Sequence, residues 1–361
     1  MTEPALPTPR RDLDDLSAYH SPQIDVSVRL NTNESPLPPP ADFVDEWCRE
    51  LTKVPLNRYP DRSAAELRSA IAQRLRVRPQ QVFCANGSNE VLQTLLLTYG
   101  GAGREAVVFE PTYALHGHIA RVTGTNVVAG DRRADFSVDT DAATALVAER
   151  RPAVIFLCSP NNPTGTVDPP ELLAALADAA PDSLVVLDEA YGEFADRTMI
   201  DAVADDVPLV VVRTFSKVWS LAALRLGFCV APAGVVAELD KVVLPYHLSV
   251  ATQTAGLVAL RYVAEMEARV SVLRRERDRT SVALGSIEGL EVYESGANFL
   301  LVRPDGDAHA VWERLLARGV LVRDFTRRPG LEGTLRITIG TPTENDALIT
   351  ALEAAIGEEA A

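Results

Sequence analysis

The chain has 361 residues, more than one small core requires, and its 47% hydrophobic and 24% charged content suits a globular protein with one large and one smaller domain. A net charge of −15 opposes nucleic acid or an anionic membrane as a partner, since both would repel it. No apolar run approaches the roughly 18–20 residues that cross a bilayer, and "MTEPALPTPRRDLDD" lacks the apolar centre of a secretory signal, so a cytoplasmic location is expected.

Residues 1 to about 40 are rich in proline and polar residues and end in "NTNESPLPPP", a composition that disfavours regular structure and reads as an arm lying on the rest. Helical patterns follow in "ADFVDEWCRELTKV" and "SAAELRSAIAQRLRV". From about residue 82 seven short apolar runs alternate with helical segments: "VFCANGS", "AVVFEPTY", "TNVVAGD", "AVIFLCSPNNPTG", "SLVVLDEAY", "LVVVRTFSK" and "LGFCVA". Most are continuous rather than alternating, as in strands covered by helices on both faces. The expected fold class is α/β, a doubly wound, mostly parallel seven-stranded sheet.

Past Tyr246 there is no proline until Pro304, and "TQTAGLVALRYVAEMEARVSVLRRERDRTSVALGSI" predicts one or two long helices. Strand-like "NFLLVR", "GVLVRDF" and "TLRITIG" come next, then a C-terminal helix for which "PTEND" offers a proline and a threonine or glutamate cap. The expected division is an arm over 1–45 packing with the small domain, a large domain over 46–250 and a small α+β domain over 251–361.

Cys48, Cys84, Cys158 and Cys229 are far apart and show no C-x-x-C spacing, so buried free thiols are expected. His116 and His118 form H-x-H without a cysteine or acidic ligand signature beside them, and no metal is expected there.

In an open α/β sheet ligands sit at the carboxyl ends of the strands, and here those ends carry unusual residues. Lys217, one of three lysines among 35 basic residues, follows "TFS" directly. An amine in a desolvated cleft loses proton affinity and can attack an aldehyde, although an isolated lysine is ordinarily a solvated surface side chain. Asp188 ends "SLVVLD", with Tyr191 three residues on. Such an acid caps a helix, holds a magnesium ion or opposes a buried cation. Asn162 lies in a turn fixed by two prolines and a glycine, and Tyr113 in "EPTY" puts an aromatic plane at another strand end. Ser88 and Asn89 open a helix whose N-terminus suits an anion, and Arg225 offers a forked donor for phosphate. Together these side chains form the inventory for pyridoxal 5'-phosphate, which presents an aldehyde, a pyridine nitrogen, a phenolic oxygen and a phosphate.

The ordered set "SPNNPTG", "LDEAY", "TFSK" and "LRLG" resembles that of the fold-type-I pyridoxal-phosphate-dependent aminotransferases. The steps are 26 residues from Asn162 to Asp188, 29 to Lys217 and 8 to Arg225. The resemblance implies that Lys217 holds the cofactor as an internal aldimine and that Asp188 pairs with its pyridinium nitrogen. It implies that Asn162 and Tyr191 meet the phenolic oxygen, that Ser88, Asn89, Ser216 and Arg225 hold the phosphate, and that Tyr113 stacks on the ring. Tyr59 in "NRYPD" matches a tyrosine that reaches the phosphate across a homodimer interface, so that two chains complete each site.

Within that family "VRLNTNESP", "LPYHLS" and "LRITIGTPTENDALITAL" are most similar to the histidinol-phosphate aminotransferases, over residues 13 to 355 or so. This implies a ping-pong exchange of an amino group between L-histidinol phosphate and 2-oxoglutarate or glutamate, with Tyr19, Arg323 and Arg336 gripping the substrate phosphate. An aromatic amino-acid aminotransferase or a threonine-phosphate decarboxylase would share much of this pattern. Asn89 departs from the family, which more often has an acid there, as does the pair Ala222 and Ala223 in place of Ala-Gly. His247 is the histidine expected nearest the site.

Overall fold

The computed structural model describes residues 7–10, 13, 14, 16 and 22–358. The chain enters through β1 (Val28–Leu30), then α1 (Phe43–Leu51) and α2 (Ala65–Leu75). Strands and helices then alternate: β2 (Val82–Asn86), α3 (Ser88–Tyr99), β3 (Glu105–Glu110), α4 (Ala114–Val122), β4 (Asn126–Asp131), α5 (Thr140–Arg150), β5 (Val154–Cys158), α6 (Pro170–Ala179) and β6 (Leu184–Asp188). The chain continues with β7 (Leu209–Thr214), β8 (Leu226–Val230) and α7 (Ala233–Val242). After α8 (Val250–Ala259) and α9 (Val263–Gly285) come β9 (Leu290–Val292), β10 (Phe299–Pro304), α10 (Ala308–Ala317), β11 (Val320–Asp324), β12 (Leu335–Thr338) and α11 (Pro342–Gly357).

All seven apolar runs become strands of one sheet, in the order β2-β8-β7-β6-β5-β3-β4. Neighbours from β7 to β4 pair in parallel, while β8 runs antiparallel to both β7 and β2. The continuity of the runs has a direct cause in the strand's two-residue period. In β6, Leu184 and Val186 pack into one buried cluster while Val185 and Leu187 pack into another, and β7 divides the same way. Both faces are core, so every position must be apolar. β4 lies at the edge and has the only strand pattern in this sheet without a buried residue. The strand order reverses at β3, whose neighbours are β4 and β5. A ligand crevice is expected outside the strand ends near such a reversal.

The second sheet has the order β1-β11-β12-β10-β9. Here the arm departs from expectation, because Val28–Leu30 is a strand, parallel to β11 with Val28 opposite Val320. Val28 and Leu30 are buried and Arg29 is exposed, so a short alternating segment gains a core by pairing with an edge strand. β9 has no counterpart among the strand-like runs of the sequence. At three residues with one buried position it carries little pattern of its own. The long helical stretch is two α-helices separated by a tighter 3₁₀ turn at Leu260–Tyr262. α11 is capped by Thr341, one residue before Pro342, and Glu344 completes a capping box.

Candidate active site

Asp188 closes β6. It continues the face of Leu184 and Val186, so its carboxylate turns toward α4. There its Oδ2 lies 3.0 Å from Nε2 of His116, and its Oδ1 accepts the Ala190 N–H at 3.0 Å. His116 is fully buried, stacked on Phe156 at 4.9 Å, with Tyr113 edge-on at 5.4 Å. The tautomer that protonates Nε2 lets it donate to the carboxylate. In the sequence His116 stands out only as half of the H-x-H pair with His118. The signal that places it is helical, because it falls one turn after Tyr113 on a helix that opens at the same sheet edge. His247, in contrast, sits with Nε2 2.9 Å from the Cys84 carbonyl and its ring stacked on Phe83, as a structural side chain.

Lys217 stands three residues beyond β7. Its amine donates to the Thr32 carbonyl at 3.1 Å and lies 5.6 Å from the centre of the Tyr191 ring. Burial lowers its pKa to about 7, helped by Arg336 and Arg225 and opposed by Glu34. Burial pushes the Tyr191 phenol up to about 12, so its hydroxyl keeps its proton near neutrality. That hydroxyl accepts from Asn33 Nδ2 at 3.0 Å and from Asn162 Nδ2 at 3.5 Å. Asn162 Oδ1 in turn accepts from Arg336 Nη1 at 2.6 Å, while Arg336 Nη2 donates to the Asn31 carbonyl at 2.9 Å. Lys217, Tyr191, Asn162 and Arg336 thus form one cluster. Asn31, Thr32 and Asn33 belong to it as well, and the sequence had read them only as part of a loose arm.

A second cluster lies at the start of α3. Gly87, its N-cap, has φ +79°, and a Cβ there would stand 2.5 Å from Arg225 Nη2. The guanidinium therefore lies close against the backbone that opens the helix. Its Nη1 is 3.5 Å from Ser216 Oγ, and Ser216 also accepts from the Thr214 hydroxyl at 3.0 Å. Asn89 Oδ1 accepts from the Tyr113 hydroxyl at 3.1 Å, a role the acid more usual at that position could also fill. Helix N–H groups beside an arginine and a serine make an anion cradle.

The donor set fits pyridoxal phosphate. A carboxylate held by a buried imidazole suits the pyridine nitrogen, and the Asn162–Tyr191 pair suits the phenolic oxygen. The cradle suits the phosphate. An amine of depressed pKa suits the aldehyde.

The remaining candidates are placed differently. Arg323 of β11 sits directly opposite Arg336 of β12, which puts two guanidinium groups on one face of the small sheet. Tyr59 is 80% exposed and stacks on Tyr246 at 4.4 Å. Tyr19 lies outside the described residues.

The family model for aminotransferase class I and II matches residues 25–352. A histidinol-phosphate aminotransferase of Streptomyces avermitilis is 46% identical over 355 residues, covering 95% of each chain. One from Mycobacterium sp. (strain JLS) is 45% identical over 352 residues, covering 95% of this chain and 92% of its own. The crystal structure of histidinol-phosphate aminotransferase from Sinorhizobium meliloti in complex with pyridoxal-5'-phosphate superposes with a TM-score of 0.85 at 26% identity, covering 92% of each chain. The cofactor of this fold is pyridoxal phosphate, and the chain belongs to the class I and II aminotransferases, among the histidinol-phosphate aminotransferases.

Proposed function

We propose that the protein transfers an amino group between L-histidinol phosphate and 2-oxoglutarate or glutamate by a ping-pong path. The observation that carries this reading is the in-register pair Arg323 and Arg336. Like charges directly opposite on a sheet repel, and a dianionic phosphate between them turns that cost into a binding site. Arg336 also holds Asn162 at 2.6 Å, so the anion grip is wired to the cofactor pocket. The distal carboxylate of glutamate can use the same cations in the second half-reaction.

Pyridoxal phosphate, when bound, supplies an electron sink for the substrate carbanion. The chain's own residues do the rest. Asp188, oriented by His116, holds a proton on the ring nitrogen. Lys217 Nζ, its proton affinity lowered by burial, would carry a proton to and from the reacting carbon. Tyr191 and Asn162 donate to the phenolic oxygen. The cradle of Ser88, Asn89, Ser216 and Arg225 anchors the phosphate, and Tyr113 covers the ring.

In this reading two copies of the chain associate, and Tyr59 completes the partner's site. Tyr59, Tyr246, Leu56 and Leu244 support it, being apolar side chains left 80%, 43%, 79% and 77% exposed. Residues 46–250 then act as the body and 251–361 with the arm as the cap. Among the described residues no helix is long and apolar enough to cross a membrane, and four free thiols, three buried as expected and Cys48 exposed on α1 against expectation, suit the reducing cytoplasm.

The reading is tested by single-turnover conversion of the pyridoxal form with L-histidinol phosphate and with phenylalanine. Histidinol phosphate should react at least tenfold faster at equal concentration, a difference of about 1.4 kcal/mol in the barrier. A preference for phenylalanine would replace this assignment with an aromatic amino-acid aminotransferase.

A further inference from the structure

Asn33 has every polar group engaged. Its backbone N–H donates to the Thr338 hydroxyl at 2.9 Å, and that hydroxyl donates back to Asn33 Oδ1 at 2.9 Å. Its carbonyl accepts from Asn298 Nδ2 at 3.3 Å. Its side-chain Nδ2 donates to the Tyr191 hydroxyl at 3.0 Å. The backbone is held at φ +55°, a left-handed conformation that asparagine and glycine tolerate.

The direction of each proton follows. Thr338 receives the Asn33 N–H, so its own hydrogen points at Oδ1. This fixes which end of the amide is oxygen and presents Nδ2 to Tyr191. A phenolic hydroxyl has two lone pairs and one hydrogen. Asn33 and Asn162 both donate to it, which occupies the lone pairs and leaves the hydrogen to point into the cofactor cleft.

We propose that Asn33 is a positioning residue for Tyr191, and that Thr338, two residues past Arg336 on β12, sets Asn33 in turn, so that the strand gripping the substrate anion also aims the proton given to the cofactor's phenolic oxygen. The inference rests on the placing of Tyr191 beside that oxygen. The arm thereby acquires a defined role, with Asn33 as the joint between the small sheet and the hydroxyl. A hydroxyl aimed at the phenolic oxygen draws off part of its negative charge, and that oxygen then holds less firmly the proton it shares with the Lys217 nitrogen. Turning the hydroxyl away strengthens that hold.

The experiment reads the pH midpoint of the visible absorbance change in the cofactor-loaded protein. Asn33→Gly, which keeps the left-handed backbone and deletes the amide, should raise the midpoint by about one unit. Tyr191→Phe should raise it at least as far, and Thr338→Val should move it the same way by less. On the Tyr191→Phe background Asn33→Gly should add nothing, because the two residues act through one hydrogen bond. If Asn33 were merely structural, Asn33→Gly would lower the unfolding temperature of the apoprotein and leave the midpoint where it was; that result overturns the proposal. Independent, additive shifts in the double variant overturn it too. A midpoint unmoved by Tyr191→Phe removes Tyr191 from the phenolic oxygen, and the role of Asn33 falls with it.

Discussion

The amine of Lys217 shows how one residue's surroundings set its chemistry. Its ordinary pKa of 10.5 falls to about 7 because burial disfavours the charged form and Arg336 and Arg225 add like charge. Between pH 7 and 10.5 the unfolded chain holds a proton on this nitrogen that the folded chain has released. Stability should therefore rise with pH across that window, the penalty being fully present below pH 7. Lys217→Met should make the apoprotein more stable than wild type at pH 6, by on the order of 2 kcal/mol once screening of a partly open amine is allowed for. The advantage should shrink toward pH 10. Urea unfolding at the two pH values measures it, and an equal gap at both would mean that the amine is not depressed.

At the scale of elements, the candidate site depends on how strand ends are held together. Asp188 and Glu189 are adjacent and turn to opposite faces of the sheet. Asp188 meets His116, while Glu189 accepts from Arg213 Nε of β7 at 2.9 Å, and Arg213 also lies 3.1 Å from Glu193. This buried ion network fastens the strand that ends in Asp188 to the strand that leads to Lys217. Leaving either partner alone in the core would be strongly destabilising. The proposed phosphate cradle depends instead on an absent side chain. A Cβ at Gly227 of β8 would stand 2.2 Å from the Ser88 nitrogen and 2.3 Å from the Gly87 carbonyl carbon, and backbone cannot give way as a flexible side chain can. Gly227→Ala should cost about 3 kcal/mol and push back the start of α3. Cofactor dissociation, followed by dialysis against free phosphate, should then be at least tenfold faster. Gly234→Ala, where nothing lies within 4 Å of the added atom, is the matched control and should leave retention unchanged. Equal behaviour of the two variants would show that close packing of β8 on α3 is not what shapes the cradle.

For the whole molecule the proposal turns on Tyr59, which in the reading above serves a second copy of the chain. Its ring is exposed and stacked on Tyr246, which is itself held at φ +62°. A large apolar pair presented this way is a common mark of an interface. A chain carrying Lys217→Ala and a chain carrying Tyr59→Ala should each be impaired alone. Coexpressed, they should form hybrids with one intact site of two, recovering about a quarter of wild-type activity from random pairing in a symmetric dimer. Recovery no better than the average of the two parents, or a monomer by sedimentation, would mean that each chain builds its site unaided.

The sequence by itself determined the sheet and most of its cargo. Apolar runs without alternation can be buried only on both faces, so "SLVVLD" and "LVVVRTFSK" had to be central strands, and the residues ending them had to reach the ligand edge. The placement of Asp188, Tyr191, Lys217 and Asn162 at or just beyond strand ends was legible for that reason. What the tertiary structure alone decided are the contacts between segments far apart in the chain, which leave no local periodicity to read. His116 looked like half of an H-x-H until α4 placed its imidazole 3.0 Å from the Asp188 carboxylate. The arm looked structureless because a three-residue strand has no core until it pairs with β11. Asn33 was one polar residue among many in "NTNESP", and only the fold closes 305 residues of chain to set it on Thr338. Patterning dictates which faces are buried; the aim of a single hydrogen bond between distant segments is settled only when those segments pack.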